Sequence, residues 1–450
     1  MGKYFGTDGI RGLANVDPVT PERALQIGRA LGHAVRQQGE RPRVVIGRDT
    51  RLSGPMLEDA LSAGLCSVGA EPERAGVLPT PAIAWLTRQR KAAAGVVISA
   101  SHNPFEDNGI KFFGPDGFKL DDAREGAIER AMDGGVLERS TAEQIGRPLT
   151  VADGLADYVE ALASSTPDGF SLAGMRIVID CSNGAASEAG PLLLSSLGAE
   201  VTVLGASPTG VNINLECGAL HPRILQHRVL ETGAALGIAV DGDADRLVVV
   251  DERGQIADGD DVLGMIALDR HQDARALPVV VGTVMSNLGL ELTLRRIGAE
   301  LVRAAVGDRF VVEAMRQRGS LIGGEPSGHL IFLEHATTGD GLLAALQVAE
   351  MMVRRGRSLS ELRSGVERCP QALVNVRVSR RQDLKALPAV VDAIRSVEAA
   401  LHDRGRVLVR YSGTEPLVRV MVEGEDETEV RRHAAQLAEV IRVSAGAAQE

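Results

Sequence analysis

The chain has 450 residues with 49 Lys and Arg against 60 Asp and Glu, a net charge of -11, and its 44% hydrophobic and 24% charged residues are those of a globular protein. The negative charge argues against wrapping nucleic acid, and 3% aromatic residues leave few platforms for stacking bases. No apolar run approaches the ~20 residues of a membrane span. The amino terminus lacks an apolar signal core, and the four cysteines (Cys66, Cys181, Cys217, Cys369) show no zinc spacing, so free thiols, a cytoplasmic location and no membrane or nucleic-acid partner are expected.

In chain order, Phe5-Gly6-Thr7-Asp8-Gly9-Ile10-Arg11-Gly12 places glycines around an arginine, a spacing that can expose backbone N–H groups to an anion. Thr20-Pro21-Glu22-Arg23 then opens an amphipathic helix running through Val35. Three later segments repeat one pattern. Val44-Val45-Ile46-Gly47 leads through a helix to Gly69-Ala70-Glu71, Ile177-Val178-Ile179-Asp180 to Gly198-Ala199-Glu200, and Val279-Val280-Val281-Gly282 to Gly298-Ala299-Glu300. Each reads as a buried strand, a helix stopped by glycine and a second strand, the pattern of a mainly parallel sheet. Beyond Pro370 the pattern changes to strands over 372–378, 406–411 and 417–422 and helices over 384–403 and 427–443. The expected architecture is therefore α/β: three related α/β domains with mixed, mainly parallel sheets (1–153, 154–255, 256–369) and a small C-terminal α+β domain (370–450), around a central cleft.

Four stretches carry candidate chemistry. The run Ala92 to Ile98 reads as a buried strand ending in Ser99-Ala100-Ser101-His102-Asn103-Pro104, which leaves the Ser101 hydroxyl and the His102 imidazole at a strand's carboxyl end, where open α/β sheets bind ligands. Ten residues on stands Lys111, one of five lysines among 49 basic residues; a lysine beside other cations can release its proton, as arginine cannot, so it is a candidate proton shuttle. Asp241-Gly242-Asp243-Ala244-Asp245-Arg246 places three carboxylates at alternate positions of a turn between two strands, oxygen ligands suited to Mg²⁺ or Ca²⁺. An EF-hand is excluded, because Arg246 stands at the obligatory glycine and both flanks read as strands.

Gly323-Gly324-Glu325-Pro326-Ser327-Gly328-His329 offers an acceptor, a hydroxyl and a titratable group between apolar strands. It suits a polyhydroxylated or amino-bearing ligand, or is simply the polar loop of a hairpin. Arg410-Tyr411-Ser412-Gly413-Thr414-Glu415-Pro416-Leu417-Val418-Arg419 has hydroxyls and a glycine between two arginines, the makings of a phosphate cradle. The chain has no Walker lysine motif and no Gly-x-Gly-x-x-Gly. A serine, an acidic turn, a lysine, a sugar-like loop and an anion cradle together point to phosphoryl transfer, in which positioning and charge neutralisation dominate. A serine hydrolase lacks support, since there is no Gly-x-Ser-x-Gly elbow and the acidic triplet has no role in acyl transfer. A non-enzymatic phosphosugar-binding protein would need neither Ser101 nor the acidic turn.

These motifs, together and in this order, resemble the α-D-phosphohexomutase superfamily over the whole chain. The forms of residues 5–12, 98–104 and 324–329, with Val306-Gly307-Asp308-Arg309, are similar to the phosphoglucosamine mutase branch; the phosphomannomutase branch, the alternative, has a histidine where Asp308 stands, so no proton-transfer role is carried to that position. The resemblance implies interconversion of glucosamine 6-phosphate and glucosamine 1-phosphate, toward UDP-N-acetylglucosamine, through a phosphoserine and a sugar 1,6-bisphosphate. It implies one Mg²⁺ held by Asp241, Asp243, Asp245 and the phosphorylated Ser101, with Lys111, His102 and Arg11 assisting. Glu325, Ser327, His329 and Arg246 would bind the sugar phosphate, and Arg410, Ser412, Gly413, Thr414 and Arg419 the phosphate that is not reacting. The implied partner is a small phosphosugar, bound by a monomer or homodimer.

Overall fold

The computed structural model describes residues 3–6, 8–36, 41–134, 138–378, 382–411 and 417–446. In all three repeats the first strand lies parallel to the strand opened by the glutamate of Gly-Ala-Glu. Arg43–Arg48 pairs with Glu71–Val77, Arg176–Asp180 with Glu200–Leu204, and Val279–Thr283 with Glu300–Ala304; the first residues face one another each time. The helices between them, Gly54–Ser67, Ala186–Ser196 and Leu288–Arg296, stop before Gly69, Gly198 and Gly298. These have φ of 85°, 92° and 75°, left-handed values that glycine adopts without a Cβ clash.

On its other side each first strand pairs in parallel with a third, Ala94–Ile98, Leu236–Val240 or Ile322–Gly324. That third strand then turns back into an antiparallel neighbour, Asp107–Phe113, Leu247–Asp251 or Leu330–Phe332. The strands Ala94–Ile98 and Leu236–Val240 are buried throughout, which is why they read as unbroken apolar runs. The sheets so formed have six, five and four strands, and a fourth, antiparallel sheet has three, with Leu417–Gly424 between Gln371–Arg377 and Gly405–Tyr411. The helix expected over 384–403 begins later: a 3₁₀ turn, Leu384–Ala386, precedes the α-helix Pro388–Leu401. Proline lacks the N–H that a helix interior needs, so it is tolerated at the first turn and marks the start.

One apolar core runs through the first three sheets, from Val45, Val97 and Phe113 through Tyr158, Ile179 and Val240 to Val280, Leu294 and Leu346. The fourth sheet closes a core of its own, from Val376, Val390, Val420 and Leu437, with the helices Pro388–Leu401 and Glu427–Ala445. Polar contacts join it to the third unit. The Arg406 guanidinium donates to the carbonyls of Val284 and Ser286 at 2.9 and 2.7 Å, and Asn287 Nδ2 donates to Glu423 Oε1 at 3.3 Å.

The helix Gly154–Ala163 ties the repeats together through Tyr158, whose buried hydroxyl donates to Asp340 Oδ2 at 2.8 Å. Asp340 in turn caps the helix Gly341–Arg355 by accepting from the Leu343 N–H at 2.9 Å. Burial pushes its pKa up to about 6 against the pull of those two donors. Tyr158→Phe should therefore cost about 1–3 kcal/mol, by leaving a buried carboxylate short of a donor. Urea unfolding followed by the fluorescence of Trp85, the one tryptophan, should show a lower midpoint; an unchanged midpoint would contradict this account.

Candidate active site

The three chemistry-bearing loops of the repeats occupy the same topological place, the turn between the third strand and its antiparallel return: residues 99–106, 241–246 and 325–329. They meet at one point. Ser101 Oγ donates to Asp241 Oδ2 at 2.6 Å, and His329 Nδ1 lies 3.7 Å from Asp245 Oδ1. The Leu247 N–H donates to the Gly328 carbonyl at 2.9 Å, and a Cβ on Gly328 would lie 2.0 Å from Leu247 O. Glycine is required there to let the third loop seat against the second.

Ser101 is buried and has φ 53°, a left-handed conformation in which a non-glycine residue is strained. Ser99 Oγ accepts its N–H at 2.9 Å, and its carbonyl accepts from Arg51 Nη2 and Asn214 Nδ2, each at 2.9 Å. His102 Nδ1 lies 3.3 Å from Ser101 Oγ. Burial, then the charges of Arg246 and Arg11, lower the His102 pKa to about 4, which leaves a neutral imidazole near pH 7.

Asp241, Asp243 and Asp245 present ligand oxygens all within 4.8 Å of one another. Thr80 Oγ1 donates to Asp243 Oδ2 at 2.6 Å, and the Arg246 N–H to Asp241 Oδ1 at 3.1 Å. Asp243 Oδ1 and Asp245 Oδ1 are buried with no hydrogen-bond partner. Burial, then Asp245 and Asp243, push the Asp241 pKa up to about 8. Crowded, desolvated and partly unpaired carboxylate oxygens are what a hard cation relieves, so the donor set fits a divalent metal with oxygen ligands.

The nearest charged neighbours of Lys111 are carboxylates, although Arg11 and Lys119 also act on it. Its Nζ donates to Asp243 Oδ2 at 2.7 Å and lies 3.4 Å from both Asp245 Oδ2 and Asp8 Oδ2. Burial alone would lower its pKa, but Asp243, Asp8 and Asp245 outweigh that and hold it above the ordinary lysine range. Its place follows from the β-pairing that sets residue 111 opposite Val97. A ring of alternating charge continues from it. Asp8 pairs with Lys119 and Arg11, Lys119 with Asp308, and Asp308 lies 3.4 Å from His329 Nε2. Burial would lower the His329 pKa, yet Asp245 and Asp308 raise it overall.

In the 325–329 loop, the Glu325 N–H donates to the His329 carbonyl at 3.0 Å, which closes the hairpin between Ile322–Gly324 and Leu330–Phe332. Glu325 is half-buried, with its pKa raised chiefly by burial; Ser327 is exposed and His329 buried. Arg246 Nε and Arg11 Nε are buried without hydrogen-bond partners. Arg410 and Arg419 face each other across the fourth sheet, each with a buried, unpartnered Nε. Among the described residues, no hydrogen bond or ion pair joins this arginine pair to the Ser101 loop. Ser412, Gly413 and Thr414, and likewise Thr7, lie outside the described residues.

Comparison with known proteins assigns all four units to domains of one family. Residues 2–138, 156–254, 258–369 and 373–440 match, in turn, phosphoglucomutase/phosphomannomutase alpha/beta/alpha domains I, II and III and the C-terminal domain. The chain is 50% identical to a phosphoglucosamine mutase of Syntrophotalea carbinolica, over 98% of its own length and 97% of the relative's. It belongs to the phosphoglucosamine mutase family. Among solved structures, a phosphoglucomutase/phosphomannomutase family protein of Burkholderia thailandensis superposes with a TM-score of 0.80 at 25% identity, covering 98% of both chains. The N-acetylphosphoglucosamine mutase of Aspergillus fumigatus, in complex with GlcNAc-6P and magnesium, shares the fold with a TM-score of 0.68 at 17% identity, covering 98% of this chain and 96% of that one.

Seen within the phosphoglucosamine mutase family, the site holds several residues that the sequence motifs did not single out: Asp8, Asp49, Arg51, Thr80, Lys119 and Asn214. Asp49 and Arg51 carried a usable signal, since they follow the buried strand Arg43–Arg48 at its carboxyl end, as Ser101 follows Ala94–Ile98. Thr80 and Asn214 carried none, because their partners are more than a hundred residues away.

The proton on Asp241 should compete with a metal. Asp241 is raised in the folded state, so the folded protein holds a proton that the unfolded chain has released, and this group lowers stability as pH rises from about 4 to about 8. A bound divalent cation should remove that slope. Its affinity, read by calorimetry on the protein alone, should rise by up to about tenfold per pH unit below pH 8, with proton release. Asp243→Asn should abolish the binding; pH-independent affinity, or full binding in that variant, would contradict the assignment.

Proposed function

We propose that the protein interconverts glucosamine 6-phosphate and glucosamine 1-phosphate, with Ser101 carrying the phosphoryl group. The observation that carries this is the Ser101 hydroxyl, 2.6 Å from a three-carboxylate cluster with two unpartnered oxygens, in a chain half identical to a phosphoglucosamine mutase. Phosphorylated Ser101 gives its phosphoryl group to the free hydroxyl of the sugar phosphate, forming a sugar 1,6-bisphosphate. After the bisphosphate turns round, the Ser101 oxygen takes the other phosphoryl group back. Asp241, Asp243 and Asp245 would hold Mg²⁺, which when bound neutralises charge on the transferring group. Lys111 stands as a cation beside the same centre. Neutral His102, at 3.3 Å from Ser101 Oγ, is placed to accept a proton there. Glu325 and Ser327 face the sugar, and His329 is held by the carboxylates of Asp245 and Asp308.

Ser101→Ala should keep its fold and lose mutase turnover, because it removes the covalent carrier. Intact-mass measurement of the wild-type protein should show one phosphoryl group that the variant lacks. Near-normal turnover in the variant would sink the mechanism.

Arg410 and Arg419 make the second half of the proposal. Two guanidinium groups paired across strands, with burial and mutual repulsion lowering the Arg410 pKa, form a site that an anion would relieve. In this reading the pair retains the idle phosphate while the fourth domain opens enough for the intermediate to turn. Arg410→Ala loses a charge-assisted contact of roughly 1.5–3 kcal/mol from each phosphate-bound state. It should release free bisphosphate during turnover, accumulate dephosphorylated Ser101, and recover when sugar 1,6-bisphosphate is added. A variant that neither leaks nor responds would place retention elsewhere.

A further inference from the structure

Asp49, Arg51 and Asn214 take no part in the chemistry above, yet all three close on the Ser101 loop. The Arg51 side chain is wholly buried, a placement that is costly for a charge unless it is paired and fully hydrogen-bonded. It is both. Nε donates to Asp49 Oδ2 at 2.8 Å, Nη2 to the carbonyls of Ser101 and Asn103 at 2.9 Å each, and Nη1 to the carbonyls of Asp107 at 3.1 Å and of Pro104. Asp49 Oδ2 also accepts from Ser99 Oγ at 2.6 Å, and Ser99 Oγ accepts the Ser101 N–H. From the second unit, Asn214 Nδ2 donates to the same two carbonyls, Ser101 at 2.9 Å and Asn103 at 3.0 Å. Behind them Gly242 packs so closely that a Cβ there would lie 2.6 Å from the Ser101 carbonyl oxygen.

We propose that Arg51 and Asn214 are positioning residues for phosphoryl transfer, a clamp that grips the carbonyls of Ser101 and Asn103 from two different units and so fixes the Ser101 oxygen against the Asp241 cluster. This rests on the mutase reading. Two facts make the clamp necessary. A serine at φ 53° persists only where its surroundings over-determine it. The two reacting parts, moreover, belong to different repeats: Ser101 hangs from the strand Ala94–Ile98 and the carboxylates from Leu236–Val240. A carbonyl bonded by one side chain from each repeat registers the two against each other. Displacement of a reacting atom by about 1 Å costs on the order of a hundredfold in rate.

The test uses the full chain with Asn214→Ala, Asn214→Asp and Arg51→Lys, comparing kcat, KM, melting curves and the rate at which added sugar 1,6-bisphosphate phosphorylates Ser101, read by intact mass. Expected are folded variants in which kcat and the phosphorylation rate fall about ten- to a hundredfold while KM stays within about twofold. Asn214→Asp should be worse than Asn214→Ala, because its carboxylate faces two carbonyls with no proton to give; a merely space-filling residue would reverse that order. Wild-type kcat in the folded Asn214 variants, or a change confined to KM, overturns the clamp, and these two variants decide the matter if Arg51→Lys does not fold. A wild-type protein that neither takes up phosphoryl nor turns over the phosphosugar overturns the mutase reading, and the clamp with it.

Discussion

Three carboxylates held in one buried turn set the terms for everything around them. Close, desolvated like charges repel strongly, and the chain answers with cations and donors drawn from two other units. Lys111 arrives from the first sheet, His329 from the third, and Asp8, Lys119 and Asp308 extend the alternation until it closes on itself. No single repeat could satisfy this ring alone. The electrostatics of the acidic turn therefore oblige the first three units to assemble around it, and the continuous apolar core beneath fixes them in that arrangement.

Ser101 is subject to the same constraint from the other side. Its hydroxyl finds an acceptor on Asp241, a carboxylate whose pKa is raised by burial and by the neighbouring Asp245 and Asp243. A phosphoryl group on Ser101 would add negative charge at that point. A metal held by the three carboxylates would offset that charge.

The architecture was largely legible in the sequence because its signals are local. Apolar runs gave the buried strands, glycines before Ala-Glu gave the helix ends, and a proline gave the start of the helix Pro388–Leu401. The placement of Ser101, the acidic triplet and the 325–329 loop was legible for a related reason, since each sits in a short turn that ends a strand. Arg51 and Asn214 were not, although they hold that serine in place. Their meaning lies in partners fifty and more than a hundred residues away, and an arginine in a polar loop or an asparagine near a cysteine looks like solvated surface until the chain folds. Lys111 was recognised as special from its rarity, but the carboxylates beside it were not legible, because they come from another repeat and from the amino-terminal loop.

The fourth domain's separate core has a further consequence. Among the described residues, the polar contacts that join it to the third unit are few: Arg406 on the carbonyls of Val284 and Ser286, and Asn287 on the Glu423 carboxylate. A doubly phosphorylated sugar, gripped at one end by Ser101's neighbours and at the other by the arginine pair, would itself be the mortar between the two bodies, so that the cleft is tight when it holds the intermediate and slack when it does not.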